Sequence, residues 1–342
     1  MNRTRILSRS FAGIALLVVG IGMSACMSSS TDRPQPASVE ELLERADRAF
    51  EGGRFAESVE IYKLAAASAS SKRNGPAFVE AAAQVSSSMS LLGRAEDGQA
   101  WLVQAQNADD GLGSKPHARV LLASALHLRD TDQVASSLHA FDELFGFCME
   151  RGSWAQAMQA ATLASVVAEG QARLEWARRN LEAARSSQKP AWVAAGWRGM
   201  GFAQEAAGEY ASAVHSMREA RKGSSQGGRT RLRADWALAH MLRLSGKLAE
   251  ADTILKAAVP AARRFHSKGY APRDAEWLGR CFEEFAEVQA SMGQKSNALA
   301  AMKSARKAYM LAEIQSLAPK KLRALDARVA EWKYQLDAAR KP

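Results

Sequence analysis

Cysteine is nearly absent from this chain: 342 residues hold three, Cys26, Cys148 and Cys281, with no C-x-x-C pair. That excludes a disulfide-stapled framework and a four-cysteine zinc site. The six histidines, His117, His127, His139, His215, His240 and His266, never stand at a metal-ligand spacing from a second His or Cys. Also missing are the G-x-S-x-G nucleophile turn, the H-E-x-x-H pair and the glycine-rich phosphate loop. Ser186 and Lys189 form a lone S-x-x-K without companion motifs. Adjacent carboxylates such as Asp109-Asp110 and Glu283-Glu284 read as solvated loop or helix surface. Nothing here calls for a catalytic residue, a metal, a cofactor or a small-molecule substrate. Strand-like alternation is scarce, and Cys148 and Cys281, both on apolar helical runs, read as buried unpaired thiols.

What the chain has in abundance is alanine-rich sequence with helical apolar spacing, such as Val193, Trp197, Met200 and Gly201, or Ala234, Leu238, Met241 and Leu242. Turn signals punctuate it about every 40 residues. Gly53, Gly93, Gly208, Gly246 and Gly293 form one series, and its gap of 115 residues divides into three steps of about 38 that fall on Asp130-Thr131-Asp132 and Gly170. An independent series, Pro76, Pro116, Pro190, Pro272 and Pro319, keeps the same period, each proline opening a helical run where its missing N–H costs least. Each period reads as helix, tight turn, helix. Gly152, Trp154, Ala157 and Ala164 mimic the middle of such a unit, but counting helices places Gly152 between units.

These units resemble the tetratricopeptide repeat family. The unit from Pro190 fits that family's pattern with Trp197, Met200, Gly201, Gly208, Tyr210, Ala213 and Ala220. Further matches are Leu238, Ala239, Gly246, Leu248, Ala251 and Ala258; Phe282, Phe285, Ala286, Gly293, Ala298 and Ala305; and, more weakly, Gly53, Phe55, Tyr62 and Ala65. The resemblance implies an all-α fold, a right-handed α-solenoid of about seven helical hairpins over residues 39–317. A capping helix and tail over 318–342 follow, with Leu322, Leu325, Val329, Trp332 and Leu336 on one stripe. The period exceeds the family's roughly 34 residues, which calls for extended helices or extra turns.

Residues 1–25 read as a separate object. Arg3, Arg5 and Arg9 precede an apolar core of 13 residues, Phe11 to Met23, and a small-residue exit before Cys26. As a helix that core spans about 20 Å, short of the roughly 30 Å of a bilayer, so a cleaved export signal is expected. The Met23-Ser24-Ala25-Cys26 exit resembles the bacterial lipoprotein signal, which implies acylation of Cys26 and a palmitate-type anchor in the cell envelope. In a Gram-negative cell the lack of Asp at position 27 implies the outer membrane, facing the periplasm. Residues 26–38, rich in Ser, Thr, Pro and Gln, read as a flexible tether.

Charge is uneven. Residues 26–214 carry 18 Lys and Arg against 23 Asp and Glu, whereas residues 215–342 carry 25 against 13. The basic half could steer an acidic partner or an anionic surface; nucleic acid is not expected, since no nucleic-acid motif appears. The family's geometry implies a concave face lined by first helices, which places Arg198, Phe202 and Glu205, then Arg233, an exposed Trp236, His240 and Arg243, then Arg280, Glu283, Glu284 and Glu287 along it. Arg198, Phe202, Arg233, Trp236, His240, Arg243 and Arg280 are the expected partner-binding residues, suited to a protein or peptide, possibly acidic. The expected function is a membrane-tethered scaffold in the cell envelope, with binding of an anionic envelope polymer through the basic half as the alternative.

Overall fold

A computed structural model describes residues 37–111, 113–225, 227–268, 272–312 and 319–339. The expected leader and Cys26 lie outside them, as does the tether apart from residues 37 and 38. The described residues form fifteen helices and contain no strand. They divide into two compact units, residues 37–183 and 184–339.

The first unit holds α1 (Val39–Glu51), α2 (Phe55–Ser71), α3 (Gly75–Leu91), α4 (Ala95–Ala108), α5 (Ser114–Asp130), α6 (Val134–Glu150) and α7 (Trp154–Val167), and the division falls within α8 (Gly170–Ser186). Local chemistry starts these helices where they start. The Ser38 hydroxyl accepts the Glu41 N–H while the Glu41 carboxylate accepts the Ser38 N–H, a reciprocal cap on α1. Asn74 caps α3 through the Ala77 N–H, with Pro76 in the first turn. The second unit holds α9 (Pro190–Ala206), α10 (Tyr210–Lys222), α11 (Arg229–Leu244), α12 (Leu248–Lys268), α13 (Pro272–Ser291), α14 (Lys295–Leu311) and α15 (Pro319–Ala338). Paired from the N-terminus, the first fourteen helices make seven hairpins, and α15 closes the series. The long repeat comes from long helices, since α2, α3, α5, α6, α8, α9 and α14 have 17 residues each and α12 has 21.

Many of the turns share one geometry, while α4 and α7 end on extended residues, Asp109 and Ala168. At Gly53, φ is +74°, its N–H donates to the Phe50 carbonyl and the Arg54 N–H to that of Ala49, both at 2.9 Å. This closes the helix by satisfying its last carbonyls, and only glycine enters that φ region without a Cβ penalty. Gly93, Gly208, Gly246 and Gly293 repeat it, with φ between 73° and 78°. Asp132 does the same work at φ 58°, where the sequence places a turn without glycine. Arg73 and Gln188, each at φ 56°, close α2 and α8 without a signal at the residue itself. Gly152 closes α6 in the same way, with Ser153 N–H donating to the Cys148 carbonyl at 2.8 Å. One cap therefore serves turns within hairpins and between them, and glycine spacing alone does not separate the two kinds.

Packing is tight because small residues line the contacts. In the first unit α3 packs against α2, α4 and α5 and is buried almost all round, with Ala81, Ala82, Ala83, Ser86, Ser87 and Ser88 fully inaccessible. Cys148 and Cys281 are both free and buried. In the second unit Val214, Met217, Leu238, Met241, Leu242 and Leu255 form a core under α10 to α12, and Cys281, Met302, Tyr309, Leu322, Leu325 and Trp332 a second under α13 to α15. On α15 only Leu322, Leu325 and Trp332 are buried, as a terminal helix with one wet face requires.

Gly279 marks the closest approach of α13 to α14. A Cβ there would stand 2.8 Å from the ring of Tyr309, which is fully buried and donates its hydroxyl to Glu283 Oε2 at 2.6 Å. Gly146 on α6 faces open space instead. Gly279→Ala should therefore cost about 1–3 kcal/mol of stability by overpacking, while Gly146→Ala should add roughly 0.5–1 kcal/mol by removing backbone freedom from a helix interior. Urea unfolding of both variants checks the pair, and equal signs would sink the packing argument.

Candidate partner-binding site

The seven expected side chains all lie in the second unit, on the first helices of its hairpins: Arg198 and Phe202 on α9, Arg233, Trp236, His240 and Arg243 on α11, and Arg280 on α13. The structure sorts them into groups already satisfied within the protein and groups left over.

His240 is held between two carboxylates. Its Nδ1 donates to Glu284 Oε2 and its Nε2 to Glu205 Oε1, each at 2.9 Å, which requires the doubly protonated ring. Burial alone would lower its pKa, but the hydrogen bonds and charges of Glu205 and Glu284 outweigh that and raise it to about 9. Glu284 is only 5% exposed, so the expectation of a solvated Glu283-Glu284 pair is wrong for its second member. Burial would push its pKa up, yet hydrogen bonds from His240 and from Arg243, whose Nε lies 2.5 Å from Oε1, hold it below the ordinary carboxylate range. Three helices, α9, α11 and α13, are thereby joined through one charged chain. Arg280 is likewise spent, donating from Nε and Nη2 to Glu276 Oε1 at 2.9 and 2.7 Å on its own helix.

The expected exposure of Trp236 is also corrected, because its indole is partly buried. It stacks on His240 at 5.7 Å with 8° between the planes and meets Trp277 edge-on at 5.7 Å. The guanidinium groups of Arg280 and Arg233 each lie 5.1 Å from the Trp277 ring centre. Cations over indole faces rigidify this aromatic pair. Phe202, 37% exposed, is the apolar side chain of the set that remains open to solvent. Arg198 and Arg233 make no hydrogen bond or ion pair with any described residue, and the buried Nε of Arg233 has no acceptor.

Trp277 and Arg273 belong to this face and escaped the sequence reading. The signal was there: 233, 236, 240 and 243 on α11 share one helix face at steps of 3 and 4, and 273, 277, 280 and 284 on α13 repeat that spacing. In the first unit the corresponding helices carry a network that neutralises itself. Asp47 accepts the Tyr62 hydroxyl at 2.5 Å, Arg119 Nη2 at 3.1 Å and Lys115 Nζ at 3.3 Å, Lys115 also pairs with Glu80, and Gln84 donates to the Tyr62 oxygen at 3.0 Å.

The His240 pair gives a pH signature. Its folded pKa, about 9, lies above the ordinary 6.5. The stabilisation is fully present below about pH 6.5 and is lost as pH rises through 9. Relative to His240→Gln, the wild type should lose about 3 kcal/mol of its advantage between pH 6 and pH 9.5, read by urea unfolding. A difference independent of pH would show that His240 is not held protonated.

No protein-family model and no curated protein matches the sequence. Solved structures do match in fold. One is a signal-transduction ATPase with numerous domains and a tetratricopeptide repeat sensor from Pyrococcus horikoshii, at 10% identity and TM-score 0.60 over 84% of this chain and 44% of that one. The present chain thus spans less than half of that protein. Another is the apo form of RapI, at 11% identity and TM-score 0.61 over 87% of this chain and 88% of that one. At such identities the likeness is one of backbone architecture: the chain has a tetratricopeptide-type helical-repeat fold.

Proposed function

We propose that this protein is a membrane-tethered helical-repeat scaffold that holds a protein or peptide partner in a bacterial cell envelope. The observation that carries the binding half is the face shared by α9, α11 and α13, where an exposed Phe202 and a Trp236–Trp277 pair stand beside Arg198 and Arg233, which have no ion-pair partner among the described residues. Arg and Trp are the side chains that most often dominate binding energy, and a rigid aromatic pair loses little entropy on contact. The same fold serves many roles, so the reading rests on this face and not on the architecture. The tether half rests on the Cys26 exit signal and the polar segment after it. Two or more acyl chains, at about 0.8 kcal/mol per buried methylene, hold such a chain at a bilayer.

Each half has its own test. Crosslinking and mass spectrometry on the host membrane fraction should recover a protein neighbour whose yield falls at least fivefold with Phe202→Glu; an unchanged neighbour set would remove this face from the function. Separately, Cys26→Ser should move the protein from the membrane fraction to the soluble fraction, and continued sedimentation with membranes would count against the acyl anchor.

A further inference from the structure

The arginines of the second unit are not equivalent. Arg229 is closed by Asp274 in a two-point contact at 2.7 and 2.7 Å, Arg243 by Glu284 and Arg280 by Glu276. Arg198 on α9, Arg233 on α11 and Arg273 on α13 have no such acceptor among the described residues. Arg233 is the most telling, since it is 9% exposed and its Nε is buried without a hydrogen bond, its guanidinium stacked against Trp277 instead. A buried cationic donor without an acceptor costs desolvation energy, offset here by the stacking on Trp277 and the charge of Asp274 rather than by a hydrogen bond to Nε. Burial, followed by the like charges of Arg273, Arg198 and Arg229, depresses the Arg233 pKa to about 10, so the other cations stand near enough to be felt. Burial lowers Arg198 as well. The first unit differs in its ion pairs, because there Lys115 and Arg119 are matched by Asp47 and Glu80, although the Nε of Arg119, like that of Arg233, is buried without a hydrogen bond.

We infer that Arg198, Arg233 and Arg273 form an oxyanion subsite that takes a side-chain carboxylate of an acidic peptide, with the neighbouring Phe202 face receiving an apolar residue beside it. The inference rests on the scaffold reading above and names the chemistry of its partner. The three guanidinium groups stand on helices that the Glu205–His240–Glu284 chain holds side by side, each toward the N-terminal side of that chain, and they supply the planar donors that a carboxylate accepts in pairs. The arrangement favours a single carboxylate over a polyanion. Arg233 is too buried to meet more than a slender side chain, and Glu205, Glu276 and Glu284 on the same helices would repel further negative charge along a polymer.

The test uses the full chain with 15N-labelled arginine, so that each Nε–H gives its own resonance, and Arg233→Met assigns the one of interest. A blocked peptide containing Glu-Phe should shift the Arg233 resonance saturably at constant ionic strength. Its Gln-Phe counterpart should bind at least tenfold more weakly. Arg198→Met and Arg273→Met, substitutions on separate helices, should each weaken the Glu peptide at least threefold, so the inference stays open to refutation even if Arg233→Met misfolds. Equal response to the Glu and Gln peptides, or affinity unmoved by both outlying variants, overturns the subsite. Saturation by inorganic phosphate or by lipopolysaccharide with no response to the Glu peptide overturns the carboxylate assignment. If the peptide binds as expected while crosslinking finds no neighbour sensitive to Phe202, the scaffold reading falls and the subsite stands; the reverse result removes the subsite alone.

Discussion

Helix termination through a residue of positive φ is the constraint on which the rest of this structure depends. A helix buries only one stripe against its neighbour, so a chain of helices gains its core by folding back at short, regular intervals. The turn that permits this must satisfy the last carbonyls of one helix within two or three residues before the next begins. Gly53, Gly93, Gly208, Gly246 and Gly293 do so at no steric cost, and Arg73, Asp132 and Gln188 accept strain to do the same. Because the turns are short, consecutive helices lie side by side, and small residues decide how closely they meet, as Gly279 does under the Tyr309 ring.

The candidate site follows from that spacing. First helices two elements apart in sequence become neighbours, so side chains 35 to 45 residues apart meet: His240 with Glu205 and Glu284, Arg229 with Asp274. Opposite charges at such contacts serve the fold. They are partly dry, so each pair is strong, and each member would be costly alone. The first unit pairs its cations around Asp47, whereas in the second Arg198, Arg233 and Arg273 have no carboxylate partner among the described residues.

Much of the fold was legible because its signals are local. Helical apolar spacing, proline at helix starts and glycine at helix ends act within a few residues, and they place α1, α3, α9, α13 and the terminal stripe of α15 without reference to the rest of the chain. Pro76 and Pro190 mark the breaks beside Arg73 and Gln188, but the positive φ at those two residues was not legible, because a polar residue forced to positive φ by its surroundings leaves no mark in composition. Gly152 misleads for the converse reason, since a cap is a local device and carries no record of which helices are partners.

The seven expected residues lie on α9, α11 and α13, the helices the repeat pattern assigns them to, because position along a repeat is a sequence property. Which of them are free is not. Arg243 and Arg233 look alike in the sequence, but the α11–α13 contact gives one a carboxylate at 2.5 Å and the other an indole ring. The sequence by itself determined the helical repeat, its period, the basic excess of its later half and the helices on which the charged face lies. Only the tertiary structure decided which charges cancel, why Trp236 is half hidden, and that three arginines have no carboxylate partner among the described residues, because those outcomes depend on pairs of residues that no local spacing brings together.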